Sequence, residues 1–388
     1  MRVHILETLF LLLALTLCCA CAARGEAADI VDNCTLRVSC DYAHRANLRS
    51  EDYKKTWSCS KGETLTVETG DGSLAQGVVV SFAGNVPELT IESDGQVIGT
   101  YDEPFKTNYI AFTRPVSRFT IIIGNGVQPI RMSRLRVLSE GELPAWVQRW
   151  RRMDGPADIM LVATHPDDEL LWFGGLLPTY AGERGKKVAV VYTVGSLSYR
   201  HNELLDGLWL CGVRDYPEIG AFSDRDGGTV EELAKCWGGE HALEAYIVRL
   251  IRQYRPAVVV TQAIDGETGH RHHKLTVQAV IDAVTRHAKD ETWDEASASS
   301  WGVWQPQKLY LHRWEEGLIV FDWQTPLMSF DGESALRVAR RAFEQHRSQQ
   351  SGRYSVEDFG KNDCRLFGLY WSAVGADEAQ DDLLEHVR

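Results

Sequence analysis

Residues 158–169 constrain the fold of this 388-residue chain most strongly. Residues 158–163 are an apolar run of strand length, and residues 170–177 are apolar enough for a buried helix. Between them stand His165 and the adjacent Asp167 and Asp168. Ligands bind at the carboxyl ends of strands in open α/β sheets, and adjacent carboxylates repel unless a cation shares them. The stretch predicts a metal site, and the alternative is an exposed turn whose aspartates cap the helix.

Strand and helix patterns alternate from residue 157 to residue 388. Strand-like runs recur at 188–193, 219–222, 256–261 and 308–311, and helical patterns lie between them at 200–210, 230–254 and 272–287. This alternation predicts a Rossmann-like, doubly wound parallel sheet. No glycine-rich dinucleotide fingerprint follows the first strand, so no nicotinamide or flavin cofactor is predicted.

Residues 28–140 have a different pattern, which predicts an all-β sandwich. Short β-rich runs are separated by glycine, asparagine and aspartate turns, at 65–69, 78–82, 89–93, 119–123 and 134–138. Tyr53 and Trp57 either stack on a sugar or fill the sandwich core. Residues 141–156 read as the connection, with a short helix packed between the two domains.

The amino terminus and the net charge bear on compartment and partners. Residues 8–23 form an uncharged run too short for a comfortable span, which predicts a signal peptide over residues 1–27 and a secreted or extracytoplasmic protein. A lipid anchor on Cys21 is the less favoured alternative, and an uncleaved anchor is a third. No other stretch is long and apolar enough to span a membrane. The net charge of −13 argues against nucleic acid and anionic membrane surfaces as partners.

Six cysteines lie beyond the predicted signal peptide. Export permits disulfides, and the most plausible local bridge joins Cys34 to Cys40 or Cys59. A zinc site built from these thiols is not expected, because the chain has no Cys-x-x-Cys spacing.

A second histidine cluster occupies residues 269–273, Gly-His-Arg-His-His, after the strand that ends at Thr261. It also follows a strand and opens a helix, so the two clusters can converge at one edge of the sheet. One imidazole from each side and one carboxylate make a three-ligand zinc site with room for water, as in catalytic zinc centres. A nearby unligated carboxylate can then accept a proton from that water.

Residues 163–169, Ala-Thr-His-Pro-Asp-Asp-Glu, together with residues 269–273 resemble the PIG-L/LmbE-like deacetylases. These are zinc-dependent enzymes that remove the acetyl group from N-acetylglucosamine-containing substrates, and the resemblance covers roughly residues 157–350. It implies His165, Asp168 and His273 as metal ligands. It also implies Asp167 as the general base and His270 as the oxyanion donor or an acid.

The same resemblance implies that Arg200 and Asp224 bind substrate. The alternative for Arg200 is a surface salt bridge to Glu203. Residues 346–349, His-Arg-Ser-Gln, resemble a late family segment and are read as structural or as lining the pocket rim. Residues 28–140 resemble galactose-binding-like sandwiches through residues 40–42, 46–57 and 77–82.

His272 is a departure from the family, which commonly has His-Pro-Asp-His at the second motif. An aspartate there would orient its neighbouring histidine, so its absence puts the role of His270 in question. Asp265 and Glu267 are the candidates to replace it.

These observations predict an exported zinc-dependent hydrolase that removes the N-acetyl group from an N-acetylglucosamine-type sugar or glycoconjugate. One zinc ion per chain is expected, and Fe²⁺ is an alternative in the same ligand set. The alternatives are a non-catalytic glycan-binding protein and a zinc amidohydrolase that acts on another N-acyl substrate.

Overall fold

The computed structural model describes residues 25–195, 197–225, 228–239 and 241–388. The predicted signal peptide and Cys21 therefore lie outside the described residues, apart from residues 25–27. The described chain divides into two compact units, one ending at Gln148 and the other comprising Arg149–Arg388. Among the described residues, no helix has the length and apolar character needed to cross a membrane.

The first unit contains two antiparallel sheets, of five and four strands. Its strands are β1 (Thr35–Val38), β2 (Trp57–Cys59), β3 (Thr64–Glu68), β4 (Ala75–Phe82), β5 (Leu89–Ser93), β6 (Gln96–Tyr101), β7 (Thr107–Val116), β8 (Arg118–Ile123) and β9 (Ile130–Ser139). The larger sheet has the order β1-β3-β8-β5-β6, and the smaller has the order β2-β9-β4-β7.

One hydrophobic core joins these two sheets. Strands of the larger sheet alternate buried and half-buried residues, as in Leu65 and Val67 of β3, which is the pattern of a sheet with one covered face. Trp57 is fully buried in this core, and Tyr53 is also buried, under the guanidinium of Arg134 at 4.0 Å. Both aromatic residues therefore pack inside the unit, which leaves neither available to stack on a sugar.

Two predictions for the first half of the chain are wrong. Residues 141–156 contain no helix, and Trp150 instead packs edge-on against Trp209 at 5.3 Å. The six described cysteines are all free thiols. The thiol of Cys34 donates to the carbonyl oxygen of Ile30 at 3.2 Å, so it is directed to its own turn and not to a second cysteine.

The second unit is an α/β structure with seven strands in one sheet. The strands are β10 (Ile159–Ala163), β11 (Val188–Gly195), β12 (Glu218–Ser223), β13 (Val258–Thr261), β14 (Lys308–His312), β15 (Ile319–Val320) and β16 (Leu366–Ser372). The helices are α1 (Asp168–Leu171), α2 (Ser198–Leu210), α3 (Val230–Cys236), α4 (Ala242–Tyr254), α5 (Arg271–Asp282), α6 (Glu295–Trp301) and α7 (Ala335–Phe343).

The strand order of this sheet is β12-β11-β10-β13-β14-β16-β15. Strands β10 to β14 run parallel, whereas β15 and β16 are antiparallel additions at one edge that the sequence patterns did not predict. The central strand β10 is buried along its whole length and pairs with β11 on one side and β13 on the other. The later strands therefore lie on both sides of β10, with β11 and β12 on one side and β13 and β14 on the other. The carboxyl ends of β10 and β13 lie side by side.

Two predicted helices are shorter than the apolar patterns suggest. Residues 230–254 form two helices, because Gly238 and Gly239 adopt φ angles of 100° and 114° that no α-helix contains. The helix predicted for residues 170–177 ends at Leu171. Gly174 adopts a φ of 45°, and a side chain there would meet Trp323 and Cys364, so the close packing requires glycine.

Candidate metal centre

The turns after β10 and β13 bring the two predicted motifs together. Because these strands are parallel neighbours, with Val162 opposite Thr261, both turns leave the sheet at the same edge. His165 and His273, 108 residues apart in sequence, meet with Nδ1 of the first 3.0 Å from Nε2 of the second. The sequence prediction that these motifs lie at one edge of the sheet is therefore matched by the strand pairing.

Asp168 completes a triangle with these two histidines. Its Oδ2 atom lies 3.4 Å from Nδ1 of His165 and 3.3 Å from Nε2 of His273. Two ligands bound at about 2.1 Å to a tetrahedral ion stand about 3.4 Å apart. The three donor atoms therefore fit a divalent ion of the size of zinc, and nitrogen and carboxylate oxygen are donors that zinc and Fe²⁺ both accept.

Each of these three side chains has a polar neighbour on its atom that faces away from the triangle. Nε1 of Trp172 donates to Oδ1 of Asp168 at 2.8 Å. Nε2 of Gln262 lies 3.1 Å from Nδ1 of His273, and Nε2 of His165 lies 2.9 Å from Nδ1 of His272. Such outer partners fix the orientation of metal ligands.

The charges of the two adjacent aspartates differ. Although burial acts in the opposite direction, His273 and His165 hold the pKa of Asp168 well below its ordinary value. Burial and the carboxylate of Asp168 raise the pKa of Asp167 to about 8. A cation bound at the triangle would favour the ionised form of Asp167, because an opposite charge lowers the pKa of a carboxyl group.

The backbone of Asp167 has a strained conformation. This residue precedes α1 with a φ of 122°, a region that residues with a side chain rarely adopt. Its backbone N–H donates to Oε2 of Glu169 at 2.8 Å, and its Oδ2 accepts from Nη2 of Arg200 at 3.2 Å. These bonds hold the carboxylate beside the triangle without placing it among the three donors.

His270 stands at the open side of the same group. Its ring centroid lies 5.1 Å from that of His165 and 4.9 Å from that of His273. Burial, followed by repulsion from the neighbouring imidazoles, lowers the pKa of His270 to about 4. His270 is therefore neutral near pH 7. A neutral imidazole can donate a hydrogen bond from its one N–H group, but it is poorly suited to act as a general acid.

Arg200 and Asp224 reach the group from α2 and from the loop after β12. Arg200 donates to the carbonyl oxygen of Pro166 at 2.5 Å and to Asp167. Arg200 and Glu203 are both buried, so the alternative of a pair at the surface is wrong. Asp224 is 41 % exposed, and its Oδ2 lies 3.8 Å from Nη1 of Arg200. Arg200 contacts Asp167, Asp224 contacts Arg200 and His165, and both residues line the cavity beside the triangle.

Residues 160–284 match the family model described as PIG-L: GlcNAc-PI de-N-acetylase. The α/β unit is similar to the PIG-L family over these residues. The resemblance drawn from the two motifs is thereby confirmed, and the matched residues include the three donors of the triangle.

Two curated relatives are named for the same deacetylase activity. The chain is 30 % identical over 185 residues to the 1D-myo-inositol 2-acetamido-2-deoxy-alpha-D-glucopyranoside deacetylase 1 of Frankia casuarinae, covering 39 % of this chain and 57 % of that protein. It is 30 % identical over 196 residues to the 1D-myo-inositol 2-acetamido-2-deoxy-alpha-D-glucopyranoside deacetylase of Streptomyces scabiei, covering 42 % and 57 %. The chain thus spans a little over half the length of these relatives.

A similar solved structure is the N,N'-diacetylchitobiose deacetylase from Pyrococcus horikoshii. It is 19 % identical, with a TM-score of 0.37, and the match covers 50 % of this chain and 71 % of that one.

A cavity of the α/β unit has a volume of about 510 Å³ and opens onto the triangle. It is also lined by residues that sequence reasoning did not assign to the site, namely Leu171, Trp172, Thr268, Gly269, Arg271, Arg353 and Tyr354. Trp172 had a usable signal, because it stands four residues after Asp168 and so shares its helix face. The others depend on how distant loops meet the sheet edge.

The segment at residues 346–349 of the α/β unit is both structural and part of the rim. His346 is fully buried and bonds to Glu169, whereas Ser348 donates to Oε2 of Glu203 at 2.6 Å. Gln349 lines the cavity. The prediction offered these two readings as alternatives, and different residues of the segment satisfy each.

Glu267 and Asp265 do not replace the missing aspartate of the second motif. Glu267 bonds to Nδ1 of the buried His312 at 2.9 Å, and Asp265 accepts from Arg313 at 2.9 Å. The side chain at that position, His272, contacts His165 and not the ring nitrogens of His270 among the bonds of the described residues.

Proposed function

We propose that this chain is a metal-dependent N-deacetylase that removes the acetyl group from an N-acetylglucosamine-type sugar or glycoconjugate. The observation that carries the proposal is the triangle of His165, Asp168 and His273 beside the carboxylate of Asp167 in an open cavity. The activity for which the curated relatives are named supports an acetamido sugar as the class of substrate. The strand order supports grouping the sheet with Rossmann-like folds.

Zinc is the ion we propose for the triangle. When bound, such an ion supplies Lewis acidity, which polarises the amide carbonyl and makes water more acidic. His165, Asp168 and His273 would hold this ion. Proton transfer and stabilisation of the developing charge are assigned to other side chains of the cavity.

Asp167 is the general base in this proposal. Its carboxylate removes a proton from the water that attacks the amide carbon, and it returns that proton to the nitrogen as the carbon–nitrogen bond breaks. The products are the free amine and acetate, so the atoms of one water molecule are consumed. Arg200 orients the carboxylate through its 3.2 Å bond to Oδ2.

His270 stabilises the negative charge on the carbonyl oxygen during the attack. A neutral imidazole N–H at the open side of the triangle can donate to that oxygen, and one such donor typically contributes about 10²–10³-fold to the rate. Its lowered pKa favours this role over that of the acid.

We also propose that the protein is exported, on the strength of the uncharged run at residues 8–23. A substrate-positioning role for the first unit is a further proposal. It needs residues other than Trp57 and Tyr53, because both are buried in the core.

The deciding experiment measures metal content and acetate release on the full chain. Purified protein is expected to contain one equivalent of zinc or iron and to release acetate from N-acetylglucosamine conjugates. Asp167→Asn should lower release by about 10²–10⁴-fold while keeping the metal. Asp265→Asn is the matched control, because Asp265 is an exposed acid in the loop after the neighbouring strand β13, and it should behave like wild type.

Three outcomes would contradict parts of this proposal. Full activity of Asp167→Asn would refute the assigned base. Bound metal without acetate release from any acetylated amino sugar would favour another N-acyl substrate. A protein that takes up no metal after reloading would leave the glycan-binding alternative.

A further inference from the structure

The nitrogen of His165 that faces away from the triangle has a buried partner. Nε2 of His165 lies 2.9 Å from Nδ1 of His272, and Nε2 of His272 lies 2.9 Å from the carbonyl oxygen of Arg225. His272 is only 2 % exposed, so water does not supply its bonds. The two rings and the carbonyl form one continuous chain of polar contacts.

The protons of this chain can be assigned from the ligand role of His165. A nitrogen that binds a metal carries no proton, so a neutral His165 that binds through Nδ1 has its proton on Nε2. That N–H must donate to Nδ1 of His272, which places the His272 proton on Nε2. The Nε2–H then donates to the carbonyl of Arg225, which can only accept, so every atom has the role it requires.

A second cation is the competing explanation for the same atoms. Nε2 of His165, Nδ1 of His272 and Oδ1 of Asp224 face one another, with separations of 2.9, 3.7 and 3.8 Å. The distances alone do not separate the two explanations, because two donors of the triangle are themselves 3.0 Å apart. The third donor of this second group does separate them, since the side chain of Asp224 is 41 % exposed and its Oδ2 lies 3.8 Å from Nη1 of Arg200. The hydrogen-bond explanation also accounts for the contact of Nε2 of His272 with the carbonyl oxygen of Arg225.

We propose that His272 is a positioning residue that fixes the tautomer and ring orientation of His165 in the metal centre. The inference rests on the metal site of the proposed function. The atom of His272 that accepts from His165 is a neutral nitrogen, so His272 orients this side chain without adding a negative charge next to the metal site. Removing such a partner typically weakens metal binding about 10–100-fold.

Two conservative variants separate the two bonds of His272. Asn places an oxygen near the position of Nδ1 and keeps an acceptor for His165. Gln places an amide nitrogen near the position of Nε2 and keeps the donor to Arg225, but it loses the acceptor. Zinc affinity of the full chain is measured by competition with a chromogenic chelator, and thermal unfolding of the zinc-free proteins checks that both variants fold.

We expect His272→Gln to bind zinc about 10–100-fold more weakly than wild type and His272→Asn to stay within a few-fold of it. A merely structural role would affect both variants alike, so equal affinities in the two variants overturn the proposal. Two zinc equivalents in wild type, with one lost in both His272→Asn and Asp224→Asn, overturn it in favour of a second ion. Affinity is measured without substrate, so failure of the deacetylase proposal would appear separately, as metal binding without acetate release.

Discussion

Nε2 of His346 donates to Oε1 of Glu169 at 2.8 Å, although 177 residues separate the two in sequence. Both side chains are fully buried. The other oxygen of the same carboxylate accepts from the backbone N–H of Asp167 at 2.8 Å. A segment late in the chain therefore holds the turn that carries the proposed base.

His346→Gln should destabilise the α/β unit in a pH-dependent way. Burial favours the neutral ring, but the carboxylate of Glu169 outweighs it and raises the pKa of His346. A raised pKa contributes stability that is fully present below the unfolded value of about 6.5 and is lost as the pH rises through the folded value. The cost of the substitution should be about 3–5 kcal/mol near pH 6 and smaller in alkali.

Calorimetry of wild type and variant at acidic and alkaline pH measures this cost, because it can resolve separate transitions of two units. His241→Gln, which replaces an exposed histidine, is the control and should have a small effect at both pH values. A cost for His346→Gln that does not change with pH would argue against a charged His346.

Asp167→Gly should be more stable than Asp167→Ala. Both remove the carboxylate, but only glycine accepts a φ of 122° without strain. Relief of about 1–3 kcal/mol of strain exceeds the roughly 0.5–1 kcal/mol of extra chain entropy that glycine loses on folding. The net advantage of about 1–2 kcal/mol should raise the unfolding temperature by several degrees.

The same pair of substitutions at Glu231 is the control for this comparison. Glu231 is exposed in α3, where alanine should be the more stable by about 1 kcal/mol. Finding the same order of stability at both positions would show that Asp167 is not strained.

Trp172→Phe should weaken zinc binding by about tenfold while leaving the fold intact. The substitution keeps an aromatic ring but removes the N–H that donates to Oδ1 of Asp168 at 2.8 Å. The measurement is chelator competition on the purified chain. Trp323→Phe is the matched control, since Nε1 of that buried tryptophan has no hydrogen-bond partner among the described residues. Equal losses in both variants would assign the effect to packing.

The parallel strands and the convergence of the two motifs could be predicted from the sequence. Strands β10 and β13 are uninterrupted apolar runs, which identifies them as buried, and each is followed at once by polar residues of metal-ligand type. Parallel strands end at one edge, so two such runs suffice to bring His165 and His273 together.

Most partners of the triangle could not be predicted in this way. Trp172 stands four residues after Asp168 and so has a local signal, whereas His272 reads only as a departure from a motif, because a hydrogen bond between side chains distant in sequence leaves no periodic pattern. The apolar pattern of residues 230–254 also predicts one helix where the structure has two. Apolar periodicity continues across the interruption, whereas backbone φ angles at two glycines end the helix.

The donors of the triangle come from turns that only the pairing of β10 with β13 brings together. Unlike a zinc finger, whose ligands lie close in sequence and whose chain folds around its metal, this arrangement cannot nucleate folding from the ion. The central sheet must assemble before the three donors meet, so an ion that binds the triangle binds a folded protein. Loss of that ion should then empty the site and leave the α/β unit folded.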